Sequence, residues 1–267
     1  RKNDPYSVGK FMSVIQKKFV TNLAFLLFLN LLIKPFWVLG IDREVQNVVG
    51  AESYGIYFAL LIFPFLLNII LDVGITNFNN KNIAQNNHLL TKHFSSVVGL
   101  KFLLAIAYVI ITLVLGLVVG YDFRYMKLLL ILCLNQFLIS FILYLRSNLA
   151  GLQMFRTDSV VSVLDRLIMI TFCALLLWGS AGGLNMDIMV FVYIQTFSYF
   201  LTALITFFLV VRKAEFLKLN WSLPFFLMIL KKSVPYGILI LLMTFYNRID
   251  TVMLERMLPD GPRLSGV

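Results

Sequence analysis

The sequence predicts an all-α membrane protein, a six-helix transmembrane bundle followed by the seventh helix of a second, incomplete lobe. Three observations carry this. Hydrophobic residues make up 60% of the chain and charged residues 13%, against about 45–50% and about 25% in soluble domains, and the mean hydropathy is +0.88. The apolar residues gather into separate runs, each near the roughly 20 residues that a helix needs to cross a bilayer. Lys and Arg concentrate in alternate connections, the charge asymmetry of a multi-pass chain.

The elements follow in order. Residues 1–19 are polar and basic, and span one covers residues 20–40, with Lys34-Pro35 inside it as a cation followed by a kink. Residues 41–53 read as a short polar loop, and span two covers 54–71 around Pro64. A polar stretch, 72–95, leads to span three at 96–120, and a tight loop to span four at 127–145. The loop 146–158 precedes span five at 159–178, and a Gly-rich turn precedes span six at 187–211. Residues 212–233 are basic, and Leu223–Leu230 within them form an apolar run too short to span, read as an interfacial helix or an early start to span seven. Span seven covers 234–254. The domains expected are a six-span lobe at 1–211, a basic linker at 212–233 and the opening span of a second lobe at 234–267. Because the chain starts at Arg1 and stops soon after an odd-numbered span, a longer parent protein is expected.

The tail and loops two, four and six carry 14 Lys and Arg, the alternate loops 3. That predicts a cytoplasmic N-terminus, with odd-numbered spans running outward across the cell membrane. The net charge of +10 sits between apolar spans, so it points to membrane lipid and not to nucleic acid. Cys133 and Cys173 fall inside spans, and no metal-ligand spacing, P-loop or nucleophile motif accompanies them. His88 and His93 share a polar loop. No cofactor is called for.

The chemistry-bearing residues are therefore the ionisable side chains inside spans. They are Lys34 in span one, Asp165 and Arg166 in span five, and Arg248 and Asp250 in span seven. Arg248 lies about 14 residues into its helix, about 20 Å deep, where a charge costs about 2.5–3.5 kcal/mol unless it faces a bundle interior or a wet cavity. Lys101, near the start of span three, is expected to snorkel toward the interface. Spans one and seven echo each other: Lys-Lys then Val opens each, and Lys34 and Arg248 each follow 14 residues beyond that Val. A parallel repeat explains the echo; chance basic flanks explain it equally. Lys34, Arg166 and Arg248 would line a cationic cleft suited to a phosphate-bearing amphiphile, with Asp72, Asp165 and Asp250 as charge partners or ion-coupling groups.

The stretch from Arg43 through Gly50, Tyr54 and Gly55, the Asp72-Val73-Gly74-Ile75 turn, and Arg248-Ile249-Asp250-Thr251-Val252-Met253-Leu254 are together similar in order and spacing to motifs of one family. The chain resembles the polysaccharide-repeat flippases, of O-antigen and related type, in the multidrug/oligosaccharidyl-lipid/polysaccharide exporter superfamily. The resemblance implies two six-span lobes opening alternately to either side. It implies a lipid-linked anionic oligosaccharide, such as a lipopolysaccharide O-antigen precursor, as substrate, with other polysaccharide-assembly proteins as partners. The chain departs from that pattern by ending after span seven.

Three other readings stand beside it. A drug or cation antiporter of the same superfamily would need a more acidic cleft. A polysaccharide polymerase or ligase would need a sizeable outer loop with catalytic residues, whereas the outer loops here are short. A purely structural subunit leaves the buried cations unexplained.

Overall fold

The computed structural model describes residues 5–178, 186–214 and 223–257. Among these residues every element is a helix. α1 (Pro5–Phe36) runs through a π-helical turn (Trp37–Asp42) into α2 (Arg43–Val49). Then come α3 (Ala51–Leu66), the short α4 (Ile69–Asp72), α5 (Ile75–Gln85), α6 (Leu89–Val119), α7 (Phe123–Gly151), α8 (Phe155–Trp178), α9 (Ile188–Ala214) and α10 (Leu223–Met257). Six stretches among the described residues are long and apolar enough to cross a membrane, and α3 with the α4–α5 segment makes a seventh if that pair, bent by 40°, is one span. This is the all-α membrane fold that the apolar runs predict.

Three expected loops prove largely helical. Residues 41–53 are helix on both sides of Gly50, whose φ of +88° breaks the chain between α2 and α3. Hydropathy lost this helix because most of its polar side chains, Arg43, Gln46, Asn47 and Glu52 among them, are exposed, and only Ile41 and Val45 are buried. Most of 72–95 is taken up by α5 and the start of α6, and 146–158 by the ends of α7 and α8. The chain between Leu223 and Met257 is one helix, with Pro235 inside it.

α7 is the buried axis. Leu129, Leu132, Cys133, Leu145 and Leu149 on it have no exposed surface, and α3, α5, α6, α8 and α9 all pack on it. The other long helices turn residues such as Leu31, Leu66, Ile106, Val118 and Leu242 outward, as a lipid-facing rim would. In lipid, apolar faces gain little by association, so packing and interhelical hydrogen bonds hold the bundle. α7 carries a ladder of them. Gln136 accepts from Asn68 (3.3 Å), Ser140 from Lys101 (3.2 Å), and Ser147 and Asn148 both accept from Asn79 of α5 (3.0 Å each). At the far end of α7, Arg146 forks onto Asp158 of α8 (2.7 and 3.3 Å).

Lys101 does not snorkel. It is 1% exposed, and its three ammonium hydrogens have three acceptors: the Leu71 carbonyl (3.1 Å), Ser140 Oγ and Asp72 Oδ1. Asp72 also accepts from the Thr76 backbone N–H (3.3 Å) and hydroxyl. The pair therefore staples the α4–α5 break to α6 and α7.

That break also receives α10. Val73 (φ +45°) and Gly74 (φ +81°) turn the chain in the left-handed region. A Cβ on Gly74 would stand 2.4 Å from the Gly237 nitrogen and 2.5 Å from the Ser233 carbonyl. Backbone meets backbone there, which only glycine allows.

Candidate functional site

α1 and α8 run side by side in the same direction. Asn22 accepts from Arg156 (3.0 Å), and two turns on Asn30 donates to Ser162 (3.2 Å). One further turn along each helix brings Lys34 level with Asp165 and Arg166. Asp165 lies in the positive fields of Arg166, Arg146 and Lys34. Its direct contact is a loose one with Arg166 (Nε to Oδ2, 3.8 Å).

Arg166 has several neighbours. Its guanidinium lies over the Trp37 ring, 5.2 Å from the centroid, a cation–π arrangement. It lies near the Tyr199 hydroxyl of α9, which feels its positive charge, and contacts Met169 Sδ at 3.7 Å. Trp37 stacks on Phe191 of α9 (6.1 Å), which also meets Tyr57 of α3 edge-on (5.8 Å). Tyr57 is paired with Gln195, whose Nε2 donates to it at 3.0 Å. Tyr54, next to Tyr57 (5.6 Å between rings), donates to Asp42 Oδ2 at 2.9 Å. The result is one contiguous cluster of Arg166, two carboxylates, three tyrosines, a tryptophan and an amide, with exposed Lys34 beside it, inside helices otherwise apolar enough for a bilayer.

The π turn builds this cluster. Pro35 cannot donate to the carbonyl one turn back, and the widened turn at Trp37–Asp42 follows it. A π turn holds an extra residue without breaking the helix, and such turns recur at functional sites. Here it buries Trp37 and Ile41 and carries Asp42 toward Tyr54.

The predicted residues divide accordingly. Lys34, Asp165 and Arg166 come together, with Lys34 exposed on its helix. Asp72 lies outside the cluster, engaged by Lys101. Arg248 and Asp250 fall on α10, but their side chains lie outside the described residues. Of the motif residues, Gly50 and Gly74 hold positive φ, Tyr54 joins the cluster, and Arg43 and Gly55 are exposed. Asp42, Tyr57, Gln195 and Tyr199 escaped sequence reasoning. The usable signal was the Tyr54/Tyr57 spacing, which puts both rings on one helical face. Among the described residues no three His, Cys, Asp or Glu side chains gather in a group that could hold a metal ion.

Comparison with curated proteins finds no match, and comparison with solved structures finds none. Comparison with known families does: residues 43–262 match the family described as "Polysaccharide biosynthesis protein". The matched range begins at the first residue after the π turn and takes in α2 to α10. A helical chain with six apolar stretches of membrane-spanning length, matched over most of its residues, belongs to the polysaccharide biosynthesis protein family as a multi-pass membrane protein.

Proposed function

We propose that the protein moves a lipid-linked oligosaccharide, a polyprenyl-pyrophosphate sugar, from the cytoplasmic to the outer leaflet of the cell membrane, for surface polysaccharides of the O-antigen kind. The N-terminus is cytoplasmic, and residues 1–211 form one lobe that alternates against a second opened by α10. The observation that carries this reading is the cluster around Arg166, a polar and charged centre in membrane-length helices. Arg166 and Lys34 suit a pyrophosphate, Arg through its planar fork. Trp37, Tyr54, Tyr57 and Tyr199 offer ring faces and hydroxyls, and Gln195 an amide, groups that hold a sugar without reacting with it. With no substrate the two cations are offset by Asp42 and Asp165. The Arg166–Asp165 contact is loose at 3.8 Å, so an entering anion competes for the guanidinium. Arg248 contributes a further cation from α10.

The test is transport in vesicles carrying the full-length protein and a fluorescent polyprenyl-pyrophosphate oligosaccharide. Arg166→Ala should slow flipping at least about tenfold, the loss of a charged hydrogen bond of about 1.5–3 kcal/mol. Arg166→Lys should recover part of it. Unchanged flipping in a correctly inserted Arg166→Ala protein would sink the proposal. One observation favours a second reading, cation antiport: Asp42 and Asp165 are two carboxylates in one cluster. Efflux of a cationic dye that fails in Asp42→Asn, with lipid flipping absent in the parent, would select it.

A further inference from the structure

A cavity of about 270 Å³ lies between α5, the first turns of α6 and the first turns of α10, away from the Arg166 cluster. Its walls are apolar, with Phe78, Ile83, Phe225 and Ile229 among them. Its polar groups differ in availability. The Asn79 amide is already engaged with Ser147 and Asn148. The His93 ring stacks on Phe225 at 4.8 Å. Asn82 is half-buried, and Lys232 is exposed at the edge of the cavity. No lining residue is acidic. Two more cations flank it: exposed Lys231, and Lys81, whose ammonium stands 5.9 Å from the Tyr236 ring.

The level of the cavity decides what it faces. His93 opens the membrane-length stretch His93–Val119, and Phe225 and Lys232 lie on the part of α10 before residue 234, in the basic stretch 212–233 that the sequence reading sets outside span seven. The cavity is therefore at a membrane boundary, where headgroup phosphates lie. Lysines clustered at that level attract anionic lipid headgroups. The volume falls just below the roughly 300–1,000 Å³ of small-molecule sites. It has room for one headgroup and the first part of one chain.

We propose that this cavity binds a single anionic phospholipid, its phosphate on Lys232 with Asn82 donating, and its acyl chain against Phe78, Phe225 and Ile229. The lipid joins α5 and α6 to α10, beside the ring contacts Phe78–Tyr236 and His93–Phe225 and the glycine contact at Gly74 and Gly237. Nothing in this depends on the transported substrate, so it stands or falls apart from the transport reading.

The experiment is native mass spectrometry of the purified full chain, titrated with dioleoylphosphatidylglycerol or with dioleoylphosphatidylcholine. One phosphatidylglycerol should be retained, about tenfold more tightly than phosphatidylcholine, and Lys232→Glu should remove that preference. Lys127→Glu, at an exposed lysine at the start of α7, should keep it. Met228→Trp, which fills the cavity from α10, should expel the lipid without changing charge. Inorganic phosphate should not displace it, since the chain carries part of the affinity. Equal retention of the two lipids overturns the proposal, as do unchanged retention in Lys232→Glu or Met228→Trp and displacement by phosphate. If Lys232→Glu does not fold, Lys232→Gln gives the same reading with the charge only removed.

Discussion

A membrane interior makes single charges expensive, and this chain handles them in two ways. Lys101 and Asp72 are paired and saturated with hydrogen bonds, an arrangement that serves structure. Removing one member strands the other. Lys101→Met is expected to destabilise the protein by about 3 kcal/mol, while Lys101→Met with Asp72→Asn should recover much of that. Thermal unfolding in detergent, run as a double-mutant cycle, checks this; additive losses would contradict the pairing. Arg166 is arranged differently, with a loose carboxylate, a ring face and a tyrosine hydroxyl around it. Sequence alone finds Lys34, Asp165 and Arg166 because an ionisable residue in an apolar run stands out. It cannot find that Lys101 reaches Asp72, 29 residues earlier, because that meeting depends on how α6 and α4 are set side by side. Asp42 was lost for another reason: a polar residue paired with a neighbouring helix, as Asp42 is with Tyr54, and one facing bulk water have the same hydropathy.

Among the elements, the α4–α5 break is the tightest point. Gly74→Ala would put a Cβ into the α10 backbone at a residue already at φ +81°. The left-handed backbone and the overpacking together should cost about 3 kcal/mol. Gly237→Ala, whose Cβ would stand 3.0 Å from Val73 carbonyl atoms, should cost clearly less, since its own helix is unstrained. Relative unfolding temperatures of the two variants decide the matter, and equal losses would mean that the contact is not the source. The break itself was legible as the Asp-Val-Gly turn after span two. The helix that follows was not, because α5 is polar on most sides and buries only a stripe of Ile75, Asn79 and Ile83.

For the molecule as a whole, the count and order of apolar spans were plain from composition, because roughly 20 apolar residues admit few other structures. The sidedness rests on the Lys and Arg asymmetry, and the chain lends itself to a direct check. Cys133 and Cys173 are fully buried on α7 and α8, so neither should react with a membrane-impermeant maleimide. Against that silent background, Asp122→Cys, in the exposed turn between α6 and α7, should label in intact cells. Asn87→Cys, exposed between α5 and α6, should label only after permeabilisation. The reverse pattern would invert the topology and with it the proposed direction of transport.

The π turn at Trp37–Asp42 has a consequence for chain length as opposed to residue identity. It accommodates one residue more than an α-helix would over the same rise. Val38 and Leu39, both exposed, are the positions that can be shortened without opening a hole in the core. Deleting either would let the segment relax to a plain α-helix and rotate everything before it by about 100° relative to everything after it. Lys34 would swing away from α8 while Asp42 stayed with Tyr54. If the proposed transport reading holds, a one-residue deletion among lipid-facing side chains should therefore leave a folded, inserted protein that no longer flips the fluorescent oligosaccharide lipid in vesicles. On the proposed reading, the spacing between Lys34 and Asp42 matters as much as the two residues themselves.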